Sequence, residues 1–321
     1  MAGEEGYEFL LKLLAHTLKF PATKPEVAVF FTSRQGSGKD TFTLLLEKVF
    51  GKQTYSFEKD PENVFGRYNM SARLNKLIIV LQEADNLRKY TASIKDTITC
   101  KDATLGEKYV KSIRIKDYTR LVVFSNNENI LNIEPDDRRW VIFKSYDFFI
   151  DPDPEFFNEV YAALNDTAVI NKFRYELEQY DIKENFRFQQ NRPITEIYND
   201  LREANTPSII KWAWYFASIY ENGGRISSTQ LCKHYNDWCK SNWENHKDTN
   251  TKTFGLNFKK YFYINSVWHG GINKKKSNGA SVYEIDTVKL LSFIENKLNY
   301  VGDIDISIQN NIVLSDDEYP G

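Results

Sequence analysis

Seven consecutive residues, Gln35-Gly36-Ser37-Gly38-Lys39-Asp40-Thr41, join a glycine-rich turn to a lysine, a carboxylate and a hydroxyl. A backbone freed by glycine can aim several N–H groups at one anion, and a helix opening at the lysine adds the positive end of its dipole. Lys39 then supplies a point charge to a phosphate, Thr41 a contact to an α-phosphate, and Asp40 an oxygen for Mg²⁺, directly or through water. Gln82-Glu83-Ala84-Asp85 closes an apolar run further along. There Glu83 is the candidate for activating a water and Asp85 a candidate for the metal shell. Asn126 ends a third apolar run and can bond both a terminal phosphate and the attacking water. Arg138 and Arg139 follow Asp136 and Asp137, with which they can form ordinary salt bridges. Near a nucleotide they would instead neutralise transition-state charge, a contribution of ~10³–10⁵ in rate where such arginines operate.

This chemistry needs elements to hold it. Val27 to Phe31 is a short apolar run suited to a strand covered on both faces, and Lys39 opens a helix with Phe42, Leu45, Leu46 and Val49 on its apolar side. Strand, loop and helix match the P-loop pattern G-x-x-x-x-G-K-S/T, with Ser33 at the first glycine and Asp40 at the metal-binding hydroxyl. Lys76 to Leu81, Leu121 to Phe124 and Val141 to Phe143 read as further buried strands, and Gln82 stands where a first acid is usual. Glu4 to Phe20 is an amphipathic helix stopped by Pro21 and Pro25. The stretch between Gly51 and the Lys76 strand reads as a polar linker, and Thr91 to Cys100 as a short helix. Ala103 to Lys116 alternates around Gly106 as a hairpin, with Lys101, Lys108, Tyr109 and Lys111 as candidate DNA contacts. Lysines of this kind also guard a plain solvated edge, and that reading stands beside the first.

At 321 residues the chain has room for two or three domains, and a net charge of −2 confines any nucleic-acid contact to a local patch. The three cysteines provide no disulfide framework and point to a reducing intracellular compartment such as a cytoplasm. Cys232, His234 and Cys239 have no usual zinc spacing and read as packing residues. No apolar run is long enough to span a bilayer, and no signal peptide is visible. From Asp151 helices dominate, the last of them rich in aromatics (Trp212, Trp214, Tyr215, Phe216) and read as core. Beyond Gly223-Gly224 come two helices and a basic turn carrying Lys274 and Lys275, either a phosphate contact or a solvated turn. The segment from Gly302 has no core of its own and a composition compatible with disorder.

QGSGKDTF, LIIVLQEAD, LVVFSNN and DDRRWVIF stand in a fixed order, with GRYN before the second and IKDTIT after it. In that order they resemble superfamily 3 helicases, in the viral and phage primase–helicase branch related to the poxvirus primase–helicase. The likeness covers roughly residues 5–147. It implies an α/β, AAA+-like P-loop NTPase core over 23–150, an N-terminal helix (1–22) packed on it, a helical region (151–222), a winged-helix-like domain (223–300) and a tail (301–321). It further implies ATP and Mg²⁺ as cofactors and a homo-hexameric ring around DNA. Lys39 would match the Walker A lysine, Glu83 the Walker B glutamate and Asn126 the sensor. Arg138 or Arg139 would match a finger reaching the neighbour's ATP, and the Lys108–Lys111 segment would line the pore. A primase or polymerase domain upstream in a longer native chain is part of the same expectation. Two other readings remain at this point. GSGKDT also resembles the nucleotide loop of small-molecule P-loop kinases, and Gln82 with Asp40 would suit a non-hydrolysing, DNA-holding ring that supports a polymerase.

Overall fold

The apolar runs become one parallel sheet because each is buried on both faces. The computed structural model describes residues 3–32, 36–82, 87–127, 130–131, 133–134, 137–145, 154–220, 223–242, 249–277, 280–298 and 300–302. In chain order the first unit contains α1 (Gly3–Lys19), β1 (Ala28–Thr32), α2 (Lys39–Phe50), β2 (Tyr55–Glu58), α3 (Glu62–Phe65), α4 (Met70–Arg73), β3 (Ile78–Gln82), α5 (Thr91–Thr99), β4 (Asp102–Glu107), β5 (Val110–Lys116), β6 (Arg120–Ser125), β7 (Trp140–Lys144), α6 (Pro154–Asn165), α7 (Thr167–Gln179) and α8 (Glu196–Asn205). Strand order in the sheet is β2-β3-β6-β1-β7, with every neighbouring pair parallel.

Alternation sorts the strand residues between two layers. Phe30, Ile79, Leu81, Val123 and Ile142 face Ile94 and Ile98 of α5 and Ile197, Tyr198 and Leu201 of α8. Val29, Phe31, Val80, Phe124 and Phe143 face Phe9 and Leu13 of α1, Leu46 and Val49 of α2 and Leu177 of α7. Phe31 stacks on Phe124 with centroids 5.0 Å apart. Side chains of this size contribute ~1.5–3 kcal/mol each when buried, against ~0–1 for an exposed ion pair. Apolar burial on both faces therefore holds the sheet.

The stretch after Gly51 is not a plain linker. Its YSFE segment pairs with β3 as an edge strand, too short for its alternation to stand out in the sequence. The hairpin turns at Lys108-Tyr109 rather than at Gly106, with Tyr109 at φ 67°. Gly106 instead forms an irregularity inside β4, where a β-carbon would lie 2.2 Å from the carbonyl oxygen of Arg67.

Three buried ionic groups brace the sheet where β6 begins. The Asp117 carboxylate accepts from Lys24 at 3.0 Å, Arg73 at 2.6 Å and the Thr119 hydroxyl at 2.7 Å. Burial opposes its ionisation, but Arg73 and Lys24 outweigh that and hold the carboxyl below its ordinary range. Arg120, pushed down to about 10 by burial, donates to the carbonyls of Pro21, Phe20 and Thr23.

The second unit begins at Arg202. It comprises α9 (Ser208–Ile219), β8 (Gly224–Ser227), α10 (Ser228–Ser241), α11 (Thr251–Phe262), β9 (Tyr263–Ile264), β10 (Val267–Trp268), β11 (Ile272–Ser277), β12 (Ala280–Ile285) and α12 (Thr287–Lys297). The aromatic helix α9 joins this core rather than the helices before it, because Trp212 and Phe216 pack among Tyr235, Phe254 and Phe258. A three-stranded sheet in the order β11-β12-β8 packs with the helices, and a capping box of Ser227 and Gln230 starts α10. Cys232, His234 and Cys239 are buried in that core. Burial pushes His234 down to about 4, so its neutral ring accepts the Trp212 indole N–H at 2.8 Å.

Asp117→Ala would leave two buried cations without their shared counter-ion. It is expected to lower the unfolding free energy by about 3–5 kcal/mol, read as a lower urea midpoint. Because the folded Asp117 carboxyl ionises below its ordinary range, this contribution is complete at neutral pH and is lost in acid as pH falls through the folded value.

Candidate functional site

The C-terminal ends of β1, β6 and β3 lie level, with Thr32 opposite Ser125 and Gln82 opposite Phe124. This is the sheet edge where parallel α/β folds hold ligands. Gly36 and Gly38 both take left-handed conformations, φ 84° and 85°. Gly38 is the N-cap of α2, and as a glycine it supplies no side-chain cap. The first N–H groups of a helix face its N-terminal side, which here is the glycine turn. Gln35, Glu83, Asp85 and Asp136 lie outside the described residues.

Lys39 is buried, and its ammonium donates to Oδ1 of Asn126. A cation from the helix start and an amide from the adjacent strand thus meet at one point beside the turn. Asp40 is exposed at the same helix start, and its Oδ1 accepts from Nε2 of Gln82 at 3.0 Å. The Gln82 Oε1 is buried with no hydrogen-bond partner among the described residues. Thr41 lies 3.4 Å from the hydroxyl of Tyr161 on α6. Between α2 and α6 a cavity of about 280 Å³ opens beside the turn, lined by Gly38, Thr41, Phe42, Phe156, Phe157 and Val160 among others. Among the described residues no group of three or more His, Cys, Asp or Glu side chains could hold a metal ion.

The two arginines stand at the opposite edge of the sheet. The carbonyl of Arg139 accepts from the N–H of Ala28, at the start of β1, so the strand's length of roughly 15 Å separates them from the turn. Arg139 pairs with the buried Asp137 carboxylate at 3.4 Å, and its own N–H donates to that carboxylate at 2.8 Å. Arg138 is exposed. The Asp137 carbonyl accepts from Arg192 at 3.1 Å and from the Tyr198 hydroxyl, which fixes the backbone from which Arg138 projects.

The basic hairpin leaves the unit just before β6, away from the turn. Tyr109 at its tip is 93% exposed, with the Lys108 ammonium 5.0 Å above its ring. Lys101, Lys108 and Lys111 are exposed, whereas Arg114 and Lys116 bridge to Asp102. Asn69, the last residue of GRYN, is buried and accepts the Gly106 N–H at 3.1 Å, anchoring β4 close to the hairpin turn. In the second unit Lys274 lies 5.0 Å from the Tyr283 ring centre and Lys275 pairs with Glu284 at 2.9 Å. Spacing alone did not mark Asn69, Tyr198, Phe156 or Phe157. Their parts depend on neighbours distant in the chain.

Sheet order and the helical layers on both faces define an AAA+-like α/β fold. Residues 31–139 match the model of a family of unknown function, DUF5906. The chain is similar in sequence to the DNA primase-polymerase of Nitratiruptor phage NrS-1, 32% identical over 124 residues, which span 37% of this chain and 17% of that protein. It has the fold of the C-terminal region of NrS-1. One apo structure of that region matches with a TM-score of 0.63 at 19% identity, over 87% of this chain and 71% of that one. A second, the A form, matches with a TM-score of 0.62 at 17% identity, over 87% and 70%. No helix among the described residues is long and apolar enough to cross a membrane.

The two arginines should separate by stability. Arg139→Ala strands the buried Asp137 carboxylate and is expected to cost about 1–3 kcal/mol. Arg138→Ala, at an exposed side chain, should stay within roughly 0.5 kcal/mol of the parent in the same denaturant titration.

Proposed function

We propose that the chain is a nucleoside-triphosphate-hydrolysing motor module of a phage or viral replication protein, acting on DNA as a ring of identical subunits. The observation that carries this reading is the meeting of Lys39 and Asn126 beside a helix that starts on a left-handed glycine at the C-terminal sheet edge. Lys39 and the backbone N–H groups from Gly36 to Thr41 hold the phosphates, with Gln35 on the same loop. The aromatic cavity between α2 and α6 receives the base. Asn126 orients the terminal phosphate and water, and Glu83, next after Gln82 in sequence, takes the water's proton. Asp40 and a water on Gln82 would hold a Mg²⁺ entering with the nucleotide, which would supply positive charge to offset that of the phosphates. The unpartnered Gln82 Oε1 beside Asp40 fits such an ion, and Asp85 is a further candidate for its shell.

Arg138 lies too far from its own turn to touch the phosphates held there, so it serves the site of a neighbouring subunit. Arg139, bound to Asp137, positions it. The exposed tip formed by Lys108, Tyr109 and Lys111 grips DNA phosphates and stacks a base, with Lys101 at the hairpin's base as a further phosphate contact. Helices α10 and α11 with the β11–β12 hairpin form a winged-helix-like module that offers Lys274, and less freely Lys275, to phosphates. The match to part of a primase-polymerase supports a replication setting with a synthetic domain elsewhere in the native chain.

Lys39→Ala should abolish nucleotide binding. Arg138→Ala should stop ATP turnover while binding survives, and mixing it with Lys39→Ala should restore partial activity in shared assemblies. Full hydrolysis by Arg138→Ala, or a single-subunit mass with and without ATP, would overturn the shared site. Phosphate transfer to small acceptors with no response to single-stranded DNA would favour the kinase reading instead. Phe156→Ala should weaken nucleotide affinity by about 1–3 kcal/mol if the base stacks there, measured by calorimetry.

A further inference from the structure

Two of the three positions at which this chain departs from the usual phosphate-site pattern, Asp40 and Gln82, touch each other. In that pattern a hydroxyl follows the lysine and an acid ends the third core strand, and both serve the metal. Here the carboxylate is on the helix, at Asp40, and the neutral polar group is on the strand, at Gln82. Gln82 Nε2 donates to Asp40 Oδ1 at 3.0 Å. The pair thus keeps one negative charge, carried by the opposite partner. The amide orientation follows from chemistry, since a flipped Gln82 would set its oxygen against a carboxylate oxygen.

Gln82 is only 7% exposed, and its Oε1 has no hydrogen-bond partner among the described residues. A buried acceptor of this kind calls for a donor, and a water held by a cation supplies one. Asp40 is exposed, so a hydrated ion can approach it. Mg²⁺ keeps several waters and binds through one or two carboxylates.

We propose that the metal-holding carboxylate of this site has been transposed, so that Asp40 binds the divalent cation while Gln82 is a positioning residue. Gln82 orients the carboxylate through Nε2 and offers Oε1 to a water on the ion. This rests on the nucleotide-binding reading above. It concerns which side chains answer to the cation, a matter separate from whether nucleotide binds.

Four variants test it: Asp40→Asn, Gln82→Ala, Asp40→Thr, and the exchange Asp40→Thr with Gln82→Asp. Affinity for a non-hydrolysable ATP analogue is measured in EDTA and in Mg²⁺, with Mn²⁺ binding followed by paramagnetic resonance and folding checked by melting temperature. In the parent the cation should tighten analogue binding. Asp40→Asn and Asp40→Thr should lose that gain while retaining the affinity seen in EDTA. Gln82→Ala should weaken Mn²⁺ binding by about 10- to 100-fold, as for loss of a group that orients a ligand. The double exchange should recover the cation response. A parent-like response in Asp40→Asn, or a folded double exchange without recovery, overturns the transposition. A parent that binds no analogue in either buffer overturns the nucleotide reading itself and this assignment with it.

Discussion

The parallel register of β1 against β6 is the constraint on which the site depends. Thr32 pairs with Ser125, so the turn after one strand and Asn126 after the other emerge at the same height. A slip of two residues would keep every side chain on its face yet move these ends apart by about 7 Å. That would separate Lys39 from Asn126. The register is secured by burial, because Phe31, Phe124 and Phe143 meet in one layer above the strands. A polar site is thus positioned by apolar packing a few residues away.

The strand order has a second consequence. With β6 between β1 and β3, the end of β3 lies one strand from the turn, yet Gln82 still reaches across to Asp40 at the start of α2. At the other end of the sheet, β7 starts beside β1, and its arginines occupy the edge opposite the phosphate turn. The fold therefore presents two chemically different edges. One has backbone donors and a buried ammonium, the other an exposed guanidinium on a loop braced by Asp137, Arg192 and Tyr198.

Charge is handled differently in the two units. In the first, Asp117, Lys24 and Arg73 are buried together, which requires close geometry to offset desolvation. In the second, the core is apolar and rich in aromatics, and its buried histidine is neutral and hydrogen-bonded to an indole. Lys274, Lys275 and Lys276 lie exposed on β11, and Glu284 of β12 pairs with Lys275 and with Arg225 of β8.

Local composition alone determined the buried strands, the glycine turn, the helix opening at Lys39 and the exposed basic hairpin. Each is set by side-chain period or by glycine's backbone freedom, which are properties of neighbours in the chain. The edge strand Tyr55–Glu58, the true hairpin turn at Lys108-Tyr109 and the place of the aromatic helix α9 were not legible. Only tertiary structure decided them, because an edge strand needs a partner, Gly106 is required by the carbonyl of Arg67, and α9 buries its tryptophans against helices still to come. The same holds for the two arginines. Adjacent in sequence and identical in type, they differ because Asp137 is buried beside one of them, a fact that arises when the loop folds back under Arg192 and Tyr198.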